Sequence, residues 1–256
     1  MILTRLVFEC FEDTTLTAVE RAISSLITEL KYNGQIIGNE FPCLLKDGQF
    51  VTQALCPTED ALAHYNNNSA VSRALTALNE AGVLKPKIDI LGQELHSDMS
   101  DPEHNPSWQI LYTSYVQTCS PLRCGEHFAP IPLYRQPKLA NGCYKQLINW
   151  QQDWQACDQL QMNGRSAEFA AVAEIGEHDS SLAMRGRALA NTLEKNSGIA
   201  TYYYLYRVGG ENKSSEQQRR CPSCNGDWAL SEPIHQVFDF KCDDCRLVSN
   251  LSWDYN

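Results

Sequence analysis

Two Cys-x-x-Cys pairs near the end of the sequence are the residues whose types and spacing most directly imply chemistry. The first pair is Cys221 and Cys224, the second is Cys242 and Cys245, and 17 residues lie between them. This spacing is typical of a structural zinc site in which each pair forms a tight turn around the metal. Four thiolates saturate a tetrahedral Zn²⁺ and leave no position for water. The spacing therefore predicts one structural zinc ion and no catalytic role for it.

The segment between the pairs predicts a small antiparallel zinc ribbon. A ribbon of this size buries little core of its own, so the free energy of metal binding is its folding free energy. Pro222 stiffens the first turn, and Gly226 can supply a positive φ there. Trp228 and the strand at 237–240 are the expected core of the ribbon.

A proline-rich loop carries a second candidate metal site at Cys119, Cys124 and His127. The Cys124-x-x-His127 spacing suits a metal-binding turn, and Cys143 could complete a set of three cysteines and one histidine. A catalytic thiolate at Cys124 paired with His127 is another interpretation. We favour a third, an irregular loop in which the prolines set a turn with one exposed histidine.

Aromatic and basic side chains precede the first cysteine pair. Tyrosines at 202–204 and 206 could stack bases while neighbouring cations meet phosphate. In a strand, however, residues 202, 204 and 206 share one face and 203 the other, so at least one set should be core, and we favour the core interpretation. The cations that could contact nucleic acid are Arg207, Lys213, Arg219 and Arg220.

The charge balance argues against a protein that coats nucleic acid. The formal net charge is −10 and the pI is about 5.1, whereas phosphate neutralisation supplies nearly all non-specific affinity. From Ala200 onward there are six Lys or Arg against eight acids. Any contact with nucleic acid is therefore expected to be local.

The chain is expected to be cytoplasmic with no membrane partner. No apolar run approaches the roughly 18–20 residues of a membrane span, and the first residues lack the order of a signal peptide. The eleven cysteines fit a reducing compartment, where thiols bind metal or fill cores.

The pattern of apolar residues predicts an α+β protein of three parts. The order β-α-β-β-α-β over about the first 92 residues is that of the ferredoxin-like plan. We predict a ferredoxin-like unit at 1–95, a mixed α/β region with a Pro-rich loop and a Tyr-rich strand at 96–210, and the four-cysteine zinc ribbon at 211–256.

The sequence resembles a known family at several of these motifs. They are Ser120-Pro-Leu-Arg-Cys-Gly125, Pro130-Ile-Pro-Leu-Tyr-Arg135, Thr201-Tyr-Tyr-Tyr-Leu-Tyr-Arg207, Arg220-Cys-Pro-Ser-Cys224 and Phe238-Asp-Phe-Lys-Cys-Asp-Asp-Cys-Arg-Leu-Val-Ser-Asn250. The family is an uncharacterised bacterial one of zinc-ribbon-containing proteins for which nucleic-acid binding has been suggested. The resemblance implies a zinc ribbon with all four ligand positions filled, and it implies no reaction.

The expected function is that of a non-enzymatic zinc-ribbon protein that binds nucleic acid or a ribonucleoprotein. The principal alternative is a protein–protein adaptor that uses the ribbon as a docking surface, because an acidic chain suits a basic partner. An enzyme of unknown chemistry is the third. The sequence holds no P-loop, G-x-G-x-x-G, H-E-x-x-H or G-x-S-x-G motif.

Overall fold

A computed structural model of the chain describes residues 1–102, 106–139 and 141–254. The chain divides into two compact units, which are described separately. The first comprises Met1–Pro102, Thr118–Ser120 and Pro130–Lys145, and the second comprises Glu103–Gln117, Pro121–Ala129 and Gln146–Asn256. The predicted mixed α+β class is confirmed. The predicted division into three domains stays a prediction.

The first unit contains a four-stranded antiparallel sheet and two helices. The strand order is β2-β3-β1-β4, and every neighbouring pair is antiparallel. In chain order its elements are β1 (Ile2–Phe8), α1 (Leu16–Tyr32), β2 (Cys43–Lys46), β3 (Gln49–Cys56), α2 (Ser69–Glu80) and β4 (Lys87–Gln93). The second strand is short, with four residues from Cys43 to Lys46.

Local signals explain why these elements form. The side chain of Thr15 accepts from the Ala18 N–H and caps α1, and Asn68 caps α2 in the same way at Val71. Between β2 and β3 the chain turns through Asp47 and Gly48, both with positive φ, as a two-residue hairpin loop requires.

The core of the first unit lies between its two helices and one face of the sheet. Alternate β1 residues point to opposite faces, so Leu6 and Phe8 are buried while Arg5 is exposed and pairs with Asp89 of β4 at 2.8 Å. The helices add apolar residues at helical spacing to this core, which are Val19, Ala22, Ile23, Leu26, Ile27, Leu30, Val71, Ala74 and Leu78.

The second unit is built on a six-stranded mixed sheet of order β6-β5-β7-β10-β9-β8. The pairs β5–β7 and β7–β10 are parallel, and the others are antiparallel. Its elements are β5 (Trp108–Leu111), β6 (Leu122–Cys124), α3 (Lys145–Asn163), α4 (Glu168–Gly176), α5 (Ser181–Ser197), β7 (Ala200–Leu205), α6 (Lys213–Gln217), β8 (Ala229–Ile234), β9 (Phe238–Cys242) and β10 (Leu247–Ser249). The strands on either side of the second cysteine pair, β9 and β10, therefore belong to the same sheet as β7.

Close packing of α5 on β7 depends on the missing side chain of Gly186. A Cβ there would lie 2.2 Å from Cε2 of Tyr203 and 2.7 Å from Nε1 of Trp150. Both aromatic side chains are fully buried and have little room to move. Any larger residue at position 186 would therefore force α5 away from β7.

We expect Gly186→Ala to destabilise the protein by about 1–2 kcal/mol in urea unfolding. Approaches of 2.2 and 2.7 Å to buried rings place the overpacking cost in the upper part of the usual range of about 1–3 kcal/mol, so it outweighs the gain of about 1 kcal/mol in helix propensity. Asn191→Ala on the exposed side of the same helix is the matched control and should be neutral or stabilising. A stabilising Gly186→Ala would contradict the packing described.

Candidate metal centre

Two tight turns bring the four predicted cysteine ligands to one place. In the first turn the Asn225 N–H donates to the Cys221 carbonyl at 2.9 Å, and the Cys221 N–H donates to the Gly226 carbonyl at 3.0 Å. The left-handed conformation needed there is taken by Asn225, with φ 59°, and not by Gly226 as the sequence suggested. Cys242 ends β9, and the second turn leads through Cys245 into β10.

The sulfur atoms of Cys221, Cys224, Cys242 and Cys245, hereafter the four-cysteine cluster, have the spacing of metal ligands. All four lie within 4.8 Å of one another, and the sulfurs of Cys224 and Cys242 are 3.7 Å apart. Tetrahedral coordination with metal–sulfur bonds of about 2.3 Å places sulfurs about 3.8 Å apart. All four cysteines are free. The cluster thus fits a tetrahedral ion.

Burial and backbone donors affect the thiols of the cluster in opposite ways. Burial raises the pKa of Cys221, and it raises the pKa of Cys242 to about 12. The exposed Cys224 behaves differently, because the Gly226 N–H donates to its sulfur and lowers its pKa. A bound cation would stabilise all four thiolates, since a metal ion deprotonates its thiol ligands outright.

The aromatic side chains that were expected to form a core beside the cysteine pairs are buried. Trp228 and Phe240 are buried with their ring centroids 5.1 Å apart, and Phe238 is fully buried. The guanidinium carbon of Arg219 lies 5.0 Å from the Trp228 ring centroid and 4.5 Å from that of Phe240. Burial there lowers the pKa of Arg219 to about 10. Arg219 is therefore part of the core of this region.

Three of the four basic residues that were predicted to contact nucleic acid pair with acidic residues of the second unit. Arg207 donates with two nitrogens to the buried carboxylate of Glu216, which also lies 3.5 Å from Nε of Arg219. Arg220 is exposed and pairs with Asp227, and Lys213 is exposed in α6. Glu216 was missed by the sequence reasoning, although it lies three residues before Arg219.

The tyrosine run forms part of the core. Tyr202, Tyr203, Tyr204 and Tyr206 are each no more than 9% exposed. Two cations flank the first of them, with Lys241 Nζ 4.6 Å and the guanidinium carbon of Arg246 5.4 Å from the Tyr202 ring centroid. The run offers no open stacking platform in this conformation.

The second predicted metal site has no matching ligand group. Across residues 1–102, 106–139 and 141–254, the four-cysteine cluster is the only group of three or more Cys, His, Asp or Glu with metal-ligand spacing. Cys119 belongs to the first unit, and Cys124 and His127 belong to the second. Cys124 is buried, and its thiol donates to Glu126 at 3.0 Å, while Cys143 is half-buried and His127 is exposed.

No helix in the described part of the chain is both long enough and apolar enough to cross a membrane.

Fold and site together define a mixed α+β protein with a C-terminal cluster of four cysteines. An uncharacterized protein of Haemophilus influenzae is 47% identical over 247 residues, which cover 95% of both chains. A second uncharacterized protein of that organism is 51% identical over 177 residues, covering 69% of this chain and 87% of its own. The chain belongs to the family of these proteins. The expected uncharacterised bacterial family is thus confirmed, and nucleic-acid binding stays a prediction.

Three family models match successive parts of the chain, each described as a domain of unknown function. They are DUF8589 at residues 1–92, DUF2310 at 103–206 and DUF8594 at 210–255.

Weaker similarity exists to solved structures. A putative antibiotic biosynthesis monooxygenase from Caulobacter crescentus is 15% identical with a TM-score of 0.30, covering 37% of this chain and 91% of its own. One from Deinococcus radiodurans is 14% identical with a TM-score of 0.28, covering 40% and 100%. Similarity of this extent implies no shared activity.

Proposed function

We propose that the four-cysteine cluster holds one structural Zn²⁺ and that β8, β9 and β10 form a zinc ribbon around it. The support is the donor set of four thiols with sulfurs 3.7 Å apart at Cys224 and Cys242. Zinc imposes no geometry of its own and accepts four thiolates in a tetrahedron. With four protein ligands the ion would have no open position for a substrate. Its role would be to fold the C-terminal strands.

The same proposal assigns a ferredoxin-like plan to the first unit. Its support is the strand order β2-β3-β1-β4 with a helix after β1 and another after β3. This plan hosts binding modules and enzymes alike, so it adds nothing to the choice of function.

We infer that the protein is a non-enzymatic adaptor that binds a protein partner, with the zinc ribbon as part of the docking unit. The observation that carries this choice is the engagement of the basic residues. The buried carboxylate of Glu216 bridges Arg207 and Arg219, so two of the four cations that were expected to meet phosphate already have a partner within the fold. A net charge of −10 favours a partner with a basic surface.

A pull-down of the full-length, zinc-loaded protein from native cell extract, with and without nuclease, tests this function. We expect a protein partner that survives nuclease treatment and is released by salt, and no co-purifying nucleic acid. The charge reversals Lys213→Glu and Arg220→Glu change two exposed cations. They should leave partner recovery unchanged or increase it.

The opposite pattern would support nucleic-acid or ribonucleoprotein binding. It consists of material lost on nuclease treatment, ultraviolet absorbance typical of nucleic acid, and retention abolished by either charge reversal.

A further inference from the structure

An apolar cavity of about 160 Å³ lies in the first unit between α1, α2 and the β4 side of the sheet. Leu6, Leu26 and Val71 form walls that are at most 1% exposed. Leu75 is half-buried and Ile88 is 44% exposed, so these two side chains line the open end. Small-molecule sites are usually preformed apolar cavities with a few polar groups at the opening, and the volume of about 160 Å³ suits a ligand smaller than a typical drug-sized molecule.

The polar groups that line this cavity are all able to donate. Lys85 is exposed and carries an ammonium group, and His64 is a second exposed residue of the lining. The side-chain oxygen of Asn67 already accepts from Nε2 of Gln35 at 3.0 Å, which leaves its NH₂ as the group for a ligand. Among the described lining residues there is no Asp or Glu, although the chain has 31 acids against 21 Lys and Arg.

We propose that this cavity binds a small apolar molecule that carries one carboxylate. The apolar part occupies the space between Leu26, Val71 and Leu75, and the carboxylate meets Lys85 with Asn67 or His64 as a second donor. A charge-assisted hydrogen bond from an ammonium group to a carboxylate is stronger than a neutral one, which sets the orientation of the ligand.

The volume limits the size of the apolar part. An apolar cavity of about 150 Å³ holds a benzene molecule. A cavity of about 160 Å³ therefore takes a single six-membered ring or a short alkyl chain, and excludes a long fatty acid or a polycyclic compound. Benzoate has the ring and the carboxylate in this size, and toluene is the matching probe without the charge.

Titration calorimetry of benzoate and toluene into the full-length protein, with ligand-observed NMR for weak binding, tests the proposal. We expect saturable benzoate binding that is tighter than toluene binding. Lys85→Gln should weaken benzoate binding about two- to fivefold and leave toluene unchanged, since the lost ion pair is partly exposed. Leu75→Phe should fill the open end and abolish binding of both probes.

Lys87→Gln is the matched control for the charge. Lys87 lies two residues away and pairs with Glu9 at 2.9 Å, and it does not line the cavity. The Lys87→Gln variant should bind benzoate and toluene as tightly as the unaltered protein does. The proposal is overturned if benzoate does not bind saturably, if toluene binds as well as benzoate, if the two lysine variants behave alike, or if Leu75→Phe binds benzoate normally.

Discussion

Replacing Cys242 by serine is expected to remove the metal and to unfold the C-terminal strands. Cys242 is buried at the end of β9, and its sulfur lies 3.7 Å from that of Cys224. Apparent binding free energies of structural zinc are about 10–16 kcal/mol in small zinc domains, and this free energy is folding free energy. Loss of one thiolate ligand should therefore remove most of the free energy that keeps β8 to β10 folded.

Hydrogen exchange followed residue by residue measures this effect. Cys242→Ser should lose amide protection across β8, β9 and β10, and the Leu247–Ser249 strand should detach from its parallel partner β7. A strong chelator should do the same to the unaltered protein. Cys43→Ser is the control, because Cys43 is exposed at the sheet edge of the first unit. Full protection of these strands in a metal-free protein would contradict the structural role.

Replacing Glu216 by glutamine is expected to cost about 3 kcal/mol of unfolding free energy. Its carboxylate is buried between Arg207 and Arg219, and Arg219 is itself packed on Trp228 and Phe240. Removing one partner of a buried ion pair costs about 3–5 kcal/mol, because the remaining charge stays buried without compensation. The lower end applies here, since the Arg207 side chain is about one-third exposed.

Asp153→Asn is the matched control for this effect. Asp153 pairs with Arg185 at 2.6 Å, and both side chains are about half exposed. An exposed pair contributes about 0–1 kcal/mol, so urea unfolding of this variant should differ little from that of the unaltered protein. Equal effects of Glu216→Gln and Asp153→Asn would show that the buried group has no special role and would reopen Arg207 and Arg219 as ligand contacts.

The sequence was most informative where the signal is local. Cys221 and Cys224 are three residues apart, and a pair at that spacing converges in almost any tight turn. The cap at Thr15 and the turn at Asp47 and Gly48 are equally local features of the fold. Each of these depends on a few neighbouring residues, so propensity and spacing predict it.

The pairing of strands that are distant in the chain could not be predicted from the sequence. The parallel contact between β7 and β10 joins Tyr203 to Leu247, and no local pattern indicates which strands of a chain become neighbours. Alternation also left open whether both faces of the tyrosine strand are covered. The structure shows α5 packed on the Tyr203 side and the Phe238 ring packed on the Tyr204 side. Only the folded structure shows that Glu216 pairs with both Arg207 and Arg219.

Metal content together with X-ray absorption at the zinc edge tests whether the four-cysteine cluster holds one structural Zn²⁺. We expect one zinc ion per chain of the purified full-length protein, with four sulfur ligands at about 2.3 Å. Cys43→Ser should keep this zinc content, and Cys242→Ser should lose it. A metal content well below one ion per chain, or a zinc shell with nitrogen or oxygen ligands, would show that the four cysteines do not hold a structural zinc ion.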